Sequence, residues 1–193
     1  MLVINLMGEP GVGKSVTAAG VFYEFSINGF KSEIIPEVAK GYAWETPKDD
    51  SGKPLLHPIF TQQIFLLGEQ NRMLERVNGK RDIAIMECPL ILTAIYQPED
   101  YFKSFESLVV EQFNAYNNFN ILLERNHEFD NEGRVHNENE ATEVRSKLKD
   151  FLIKHNIPYI KMTTDDNINK NIVKKIRDEF FPQNVLKPSY DNI

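Results

Sequence analysis

The stretch Gly8-Glu9-Pro10-Gly11-Val12-Gly13-Lys14-Ser15 decides the expected fold of this chain. It follows an apolar run, residues 2–7, that predicts a buried strand, and it opens a stretch, residues 14–28, whose apolar residues recur at helical spacing. The pattern Gly-x4-Gly-Lys-Ser between a strand and a helix is typical of a loop whose backbone N–H groups bind phosphate oxygens. The positive end of the following helix strengthens that attraction. The sequence therefore predicts a loop that binds the phosphates of ATP or GTP.

The loop residues divide into a backbone cradle and two side chains with particular roles. We expect Lys14 to contact the β and γ phosphates, and we expect the Ser15 hydroxyl to bind Mg²⁺. The expected cofactors are thus ATP and Mg²⁺. The residues expected to surround the nucleotide are Gly8, Glu9, Pro10, Gly11, Val12, Gly13, Lys14, Ser15 and Val16.

Apolar runs and helical stretches alternate along the rest of the chain. Further strands are predicted at 32–36, 82–87, 119–123 and 157–162, and helices at 58–77, 101–116, 139–155 and 167–180. Strands that are apolar throughout and separated by helices favour a parallel sheet covered on both faces. We therefore predict a three-layer α/β fold with a five-stranded parallel sheet in one domain, 1–182, followed by a tail, 183–193. Two prolines and a polar run predict a loop over 41–57.

The composition narrows the class of protein. The chain has 193 residues, 41% of them hydrophobic and 26% charged, with a net charge of −6 and one cysteine. These values are typical of a single globular domain in a reducing compartment, which predicts a cytoplasmic protein without disulfides. No apolar run approaches the roughly 20 residues that a membrane helix needs. The acidic charge does not favour nucleic acid as a partner, although a local basic groove would permit it, and the oligomeric state stays open.

Acidic residues follow the second and third predicted strands. Ligands of parallel sheets bind beyond the carboxyl ends of the strands, so Glu37 and Glu87 are expected to face the same crevice as the glycine loop. Glu87 is a candidate Mg²⁺ ligand, directly or through water, and its alternative is an acid that faces solvent. Glu37 is a candidate base that accepts the proton of an attacking hydroxyl or orients it. Its alternative is an ordinary acid at the start of a helix.

Two arginines bracket a polar segment that follows the fourth predicted strand. Arg125 and Arg134 would lie on either side of a lid, where an arginine stabilises charge on a phosphoryl group during transfer. The neighbouring Asp130 and Glu132 allow a simpler interpretation as surface ion pairs.

Residues 8–15, 37–42, 85–96 and 130–134 occur in the order found in a known family. In these segments the chain resembles the P-loop kinases related to the ribosylnicotinamide kinase domain of the bacterial NadR protein, a NadR-like AAA family with small phage-encoded members. The resemblance implies a nucleoside-kinase-like sheet and a lid that contains Arg134. It also implies an acceptor site at Glu37 with this acid as general base, and an adenine site at 163–166, which includes Thr164. The family usually has Asp where this chain has Glu87.

Three functions agree with these patterns. The first is a kinase that moves the γ-phosphate of ATP to a hydroxyl of a nucleoside, nucleotide or ribosyl compound. The second is a kinase that acts on DNA bases or ends, which the acidic charge opposes. The third is a regulatory NTPase that works with a protein partner.

Overall fold

Five parallel strands form the sheet that the alternating apolar runs predict. The computed structural model describes residues 1–45, 47, 58–126 and 138–182. The strands are β1 (Leu2–Met7), β2 (Ser32–Ile35), β3 (Ile83–Met86), β4 (Asn117–Glu124) and β5 (Ile160–Thr163). The prediction of a five-stranded parallel α/β sheet is confirmed.

Seven α-helices connect the strands within the described residues. They are α1 (Lys14–Ile27), α2 (Val38–Glu45), α3 (Gln63–Val77), α4 (Leu92–Ile95), α5 (Phe105–Asn114), α6 (Glu138–Lys154) and α7 (Ile168–Phe180). A short 3-10 turn, Pro58–Thr61, precedes α3. The described helices include none long and apolar enough to cross a membrane.

The strand order is β2-β3-β1-β4-β5, which places β1 at the centre. All six residues of β1 are buried, since this strand pairs with β3 on one side and β4 on the other and helices cover both faces. A strand buried in this way reads as a continuous apolar run, which explains why it was predicted to the residue.

Each face of the sheet packs against its own set of helices. On one face, α1 and α7 contribute Phe25 and Ile172 to a core with Ile4 of β1. On the other face, α3, α5 and α6 contribute buried side chains such as Leu74 to a core with Val3. Alternate side chains of one strand point to opposite faces, so β1 supplies both cores.

The loop predicted over 41–57 is wrong at its start. Residues 41–45 are helical and belong to α2, which runs from Val38 through Gly41 to Glu45. A glycine inside a helix costs only about 1 kcal/mol, so it did not end the helix, whereas the approach to Pro47 ends it. The rest of the predicted loop, apart from Pro47 itself, lies outside the described residues.

The start of β5 and a short helix also differ from the sequence prediction. β5 was predicted from residue 157 but begins at Ile160, because Pro158 has no N–H to donate to a ladder. Its carbonyl accepts a bond from Asn120 Nδ2 at 2.9 Å instead. The four-residue helix α4 was not predicted, since one turn is too short to show a helical period.

Candidate nucleotide-binding site

The candidate site residues that lie in the described part of the chain follow the carboxyl ends of the strands. Gly8 follows β1, Glu37 follows β2, Glu87 follows β3, Arg125 follows β4 and Thr164 follows β5. The chain leaves β1 towards β2 on one side and leaves β3 towards β4 on the other. Neighbouring strands whose connections diverge in this way form a crevice where ligands of open α/β sheets bind.

Glycines give the loop after β1 its shape. Gly8 has a φ of 151°, and a Cβ added there would lie 2.8 Å from Val12 Cγ1 and 3.2 Å from the carbonyl oxygen of Leu123. Gly13 has a φ of 93° and accepts the Thr17 N–H at 2.9 Å, so α1 begins directly after it. Residues with a side chain rarely adopt such conformations. The loop therefore presents backbone N–H groups at the positive end of α1.

Lys14 folds back over this loop. Its Nζ donates to the carbonyl oxygens of Gly8 and Glu9, each at 3.1 Å. An ammonium held over the cradle lies within reach of any phosphate that the loop amides bind.

The side chain of Glu9 is buried beneath the loop, where it meets two arginines. Only 3% of the residue is exposed. Its Oε1 lies 3.5 Å from Arg125 Nε, and its Oε2 lies 4.0 Å from the guanidinium of Arg145, which also pairs with Glu124 at 3.3 Å. Arg145 belongs to α6, so this cluster ties the loop to the end of β4 and to α6. We call Glu9, Arg125 and Arg145 the loop anchor.

The sequence predicted only part of the loop anchor. Glu9 was expected as a loop residue and Arg125 as a candidate catalytic arginine, and the structure pairs their side chains. Arg145 was missed, because it lies 136 positions after Glu9 and its helix carries many other charges. Arg134 and the expected lid lie outside the described residues.

Thr164 lies against the start of α1. Its N–H donates to the Glu124 carbonyl at 3.0 Å, and a Cβ added to Gly13 would lie 3.7 Å from Thr164 Cγ2. The segment between β5 and α7 therefore borders the glycine loop, at the position where the family resemblance puts adenine.

Glu37 and Glu87 follow the neighbouring strands β2 and β3, and Cys88 follows Glu87. Burial raises the pKa of Cys88, the Glu37 carboxylate raises it further, Lys14 lowers it and Glu87 raises it. The Glu87 N–H donates to the Ile35 carbonyl at 3.2 Å, which joins the ends of β2 and β3. Both carboxylates therefore lie at the edge of the sheet where the glycine loop follows β1.

Tyr96 directly follows α4 and was not singled out as a site residue in the sequence. Burial raises the pKa of its phenol, and the Cys88 side chain and the Glu37 carboxylate raise it further. No pattern marks Tyr96, since α4 is too short to show which face it buries.

The Ser15 hydroxyl faces a cation. Lys40 Nζ lies 3.2 Å from Ser15 Oγ, so this oxygen accepts a hydrogen bond from the Lys40 ammonium. Among the described residues, no three His, Cys, Asp or Glu side chains form a metal cluster. Magnesium commonly takes one or two protein ligands and completes its shell with phosphate oxygens and water. The hydroxyl of Ser15 and the carboxylate of Glu87, which follow the neighbouring strands β1 and β3, are oxygen donors of the kind that Mg²⁺ takes.

A parallel sheet with a glycine loop between β1 and α1, and with a lysine over that loop, defines a P-loop nucleotide-binding protein. Residues 3–167 match the family model AAA_28, described as an AAA domain, and the chain belongs to this family. The chain is thus a nucleotide-binding protein of the P-loop class. No curated protein matches it.

Two solved structures of NadR proteins share the fold. One is a NadR protein in complex with NAD and AMP-PNP, with a TM-score of 0.64 and 16% identity over 91% of this chain and 48% of that one. The other is a NadR protein in complex with NR, with a TM-score of 0.66 and 18% identity over 92% of this chain and 51% of that one. The chain therefore spans about half the length of these NadR structures. The NadR-like character inferred from the sequence is confirmed.

Proposed function

We propose that this protein is a kinase that transfers the γ-phosphate of ATP to a hydroxyl of a nucleoside, a nucleotide or another ribosyl compound. One observation carries the proposal: the segment after β2, which carries Glu37, contacts the phosphate loop, because Lys40 Nζ lies 3.2 Å from Ser15 Oγ. A carboxylate in that segment could orient or deprotonate an acceptor hydroxyl. The NadR structures in complex with AMP-PNP and with NR support the same substrate class.

The donor end of the reaction is assigned to the glycine loop. The amides of residues 8–16 would hold the phosphates, and Lys14 would neutralise charge on the β and γ groups. Thr164 would border the adenine. Ser15 and Glu87 would hold Mg²⁺, which supplies charge neutralisation at the transferred phosphoryl group.

The acceptor end is assigned to the β2–α2 turn. Glu37 would accept the hydroxyl proton or fix the hydroxyl for in-line attack. Arg125 and Arg134 would stabilise the charge on the phosphoryl group. The Arg125 guanidinium lies next to the loop through Glu9, which supports its part of this assignment.

The test measures phosphate transfer from labelled ATP to a panel of nucleosides and nucleotides, for the unmodified protein and for Glu37→Gln. Loss of a positioned base costs about 100-fold to 10,000-fold, so we expect kcat to fall in that range while ATP affinity stays the same. Glu33→Gln is the matched control, because this partly exposed carboxylate lies on β2, the strand that Glu37 follows, and forms an ion pair with Arg81 at 3.1 Å. Absence of transfer to every acceptor, or full activity of Glu37→Gln, would contradict the proposal.

An ATPase that works with a protein partner is the second candidate, and membership in an AAA-domain family favours it. The same assay separates the two functions. A kinase releases labelled product only when an acceptor hydroxyl is present. A regulatory ATPase releases inorganic phosphate regardless of the small molecules added, and its rate rises with a protein partner.

A further inference from the structure

We infer that Gln70 is a positioning residue that sets the place of the Glu37 carboxylate. The inference rests on the proposed function, since it concerns the residue to which acceptor activation is assigned. Gln70 belongs to α3, lies 33 positions after Glu37 and carries no recognisable motif. Its side-chain amide bonds the backbone on both sides of Glu37.

The two bonds of Gln70 clamp the β2–α2 turn. Its Nε2 donates to the Pro36 carbonyl at 2.9 Å, and its Oε1 accepts the Val38 N–H at 3.3 Å. Pro36 precedes Glu37 and Val38 follows it, so one planar amide holds both neighbours. The Val38 N–H is at the first position of α2, where backbone N–H groups lack a partner within the helix.

The clamp is rigid because the amide is buried and its helix is anchored. Gln70 is 3% exposed, so water cannot readily replace either bond. The flanking residues Leu67 and Leu74 of α3 lie in the core that also holds Ile35, the last residue of β2. The place of Glu37 is therefore set by the core through Gln70.

Removal of the amide has a specific expected consequence. Without it, the Pro36 carbonyl and the Val38 N–H lose their partner inside the protein, and the turn shifts to reach water or another donor. The phosphate loop does not depend on this turn for its backbone shape. A shift at Glu37 alone misplaces the acceptor hydroxyl relative to the phosphoryl group, and a misplacement of about 1 Å costs up to roughly 100-fold in rate.

The test replaces Gln70 with methionine, which has a similar shape and lacks the amide. We expect Gln70→Met to lower kcat about 10-fold to 100-fold while the KM for ATP stays unchanged. Gln63→Met is the matched control. Gln63 is on the same helix, is also 3% exposed and donates to a backbone carbonyl, that of Phe60 at 2.7 Å, which does not flank Glu37. Equal losses of kcat in the two variants would overturn the inference, because they would reflect general destabilisation.

A double-mutant cycle with Glu37→Gln separates positioning from stability. If Gln70 acts through Glu37, Gln70→Met lowers kcat no further once Glu37 is replaced. The same factor in both backgrounds would overturn the inference. Should Gln70→Met fail to fold, Gln70→Asn replaces it, since a shorter amide keeps the polarity but cannot reach both partners. We expect an intermediate kcat for it, and an unchanged kcat would count against the clamp.

The outcome also distinguishes a failure of the Gln70 clamp from a failure of the proposed function. If the unmodified protein transfers phosphate and both Gln70 variants match it, the clamp alone is wrong. If the unmodified protein transfers phosphate to no acceptor, the proposed function fails and the role of Gln70 fails with it.

Discussion

The two sides of the crevice are built in different ways. On the donor side, residues 8–15 form one continuous loop whose shape comes from its glycines and whose binding groups are backbone amides. On the side assigned to the acceptor, the groups are side chains from separate segments: Glu37 after β2, Cys88 after β3 and Tyr96 after α4. The donor side is local in sequence, whereas the acceptor side exists only once the sheet has formed.

The two sides also differ in the contacts that hold them in place. The donor loop needs the buried loop anchor beneath it, but its backbone conformation follows from local glycine preferences. The acceptor side depends on where α3 holds the β2–α2 turn. Changes on the donor side should therefore affect every reaction with nucleotide, and changes on the acceptor side should affect only transfer.

The largest expected effect is on the donor side. Lys14→Ala should lower phosphate transfer and any ATP hydrolysis by at least about 100-fold, because a positioned charge that stabilises the phosphoryl group is lost. Steady-state kinetics with labelled ATP measures it. Lys103→Ala removes an exposed lysine before α5 and should leave the rates unchanged. A Lys14→Ala variant with normal rates and affinity would show that the loop does not bind the reacting phosphates, and the division into two sides would fail.

A medium effect is expected beneath the donor loop. Glu9→Gln removes the buried charge that faces Arg125 and Arg145, so the free energy of unfolding should fall by roughly 1–3 kcal/mol. Urea unfolding without nucleotide measures this loss.

The matched control for the loop anchor is a surface ion pair. Glu143→Gln breaks the contact with Lys147, 2.8 Å long and more than half exposed on both sides, and should leave the free energy of unfolding nearly unchanged. Similar losses in Glu9→Gln and Glu143→Gln would mean that the loop anchor does not support the donor side.

The smallest expected effect reports on the acceptor side without any turnover. Burial and the Glu37 carboxylate raise the pKa of Cys88, so the thiol should react slowly with iodoacetamide at neutral pH. Glu37→Gln removes one of the negative charges, lowers the pKa of Cys88 and should speed alkylation a few-fold at fixed pH. Mass spectrometry is unambiguous, because the chain has one cysteine. An unchanged rate would show that the Glu37 carboxylate does not act on the pKa of Cys88. It would contradict the grouping of these two residues on the acceptor side.

The sheet was largely predictable from the sequence. Strands buried on both faces have a continuous apolar signature, and β1 to β4 were placed to within a few residues. The errors have local causes, namely the missing N–H of Pro158, the single turn of α4 and a glycine that α2 tolerates at position 41. Only at Gly41 does the structure go against local propensity, since glycine is a poor helix former.

The residues of the candidate site were predictable to a similar extent: those in local patterns were found, and those that only packing brings together were missed. Lys14, Ser15, Glu37, Glu87 and Arg125 could be singled out because each occupies a motif or follows a strand, and a parallel sheet brings such positions to one edge. Thr164 was singled out through the family resemblance. Arg145, Tyr96 and Gln70 could not be singled out. The contacts of Gln70 and of Arg145 with Glu9 join positions 32 to 136 residues apart, and no spacing rule predicts which helix face meets a given turn.

By itself, the sequence determined the phosphate loop and the parallel sheet that carries it. Glycine conformation, the lysine and the alternation of apolar runs act over short distances along the chain and leave a readable pattern. Only the tertiary structure decided the surroundings of Glu37. The position of a carboxylate and the charges that act on it are set by groups from other parts of the chain. Gln70 holds the turn that carries Glu37, and Glu37 in turn acts on the pKa of Cys88 and Tyr96. These segments meet only in the folded sheet.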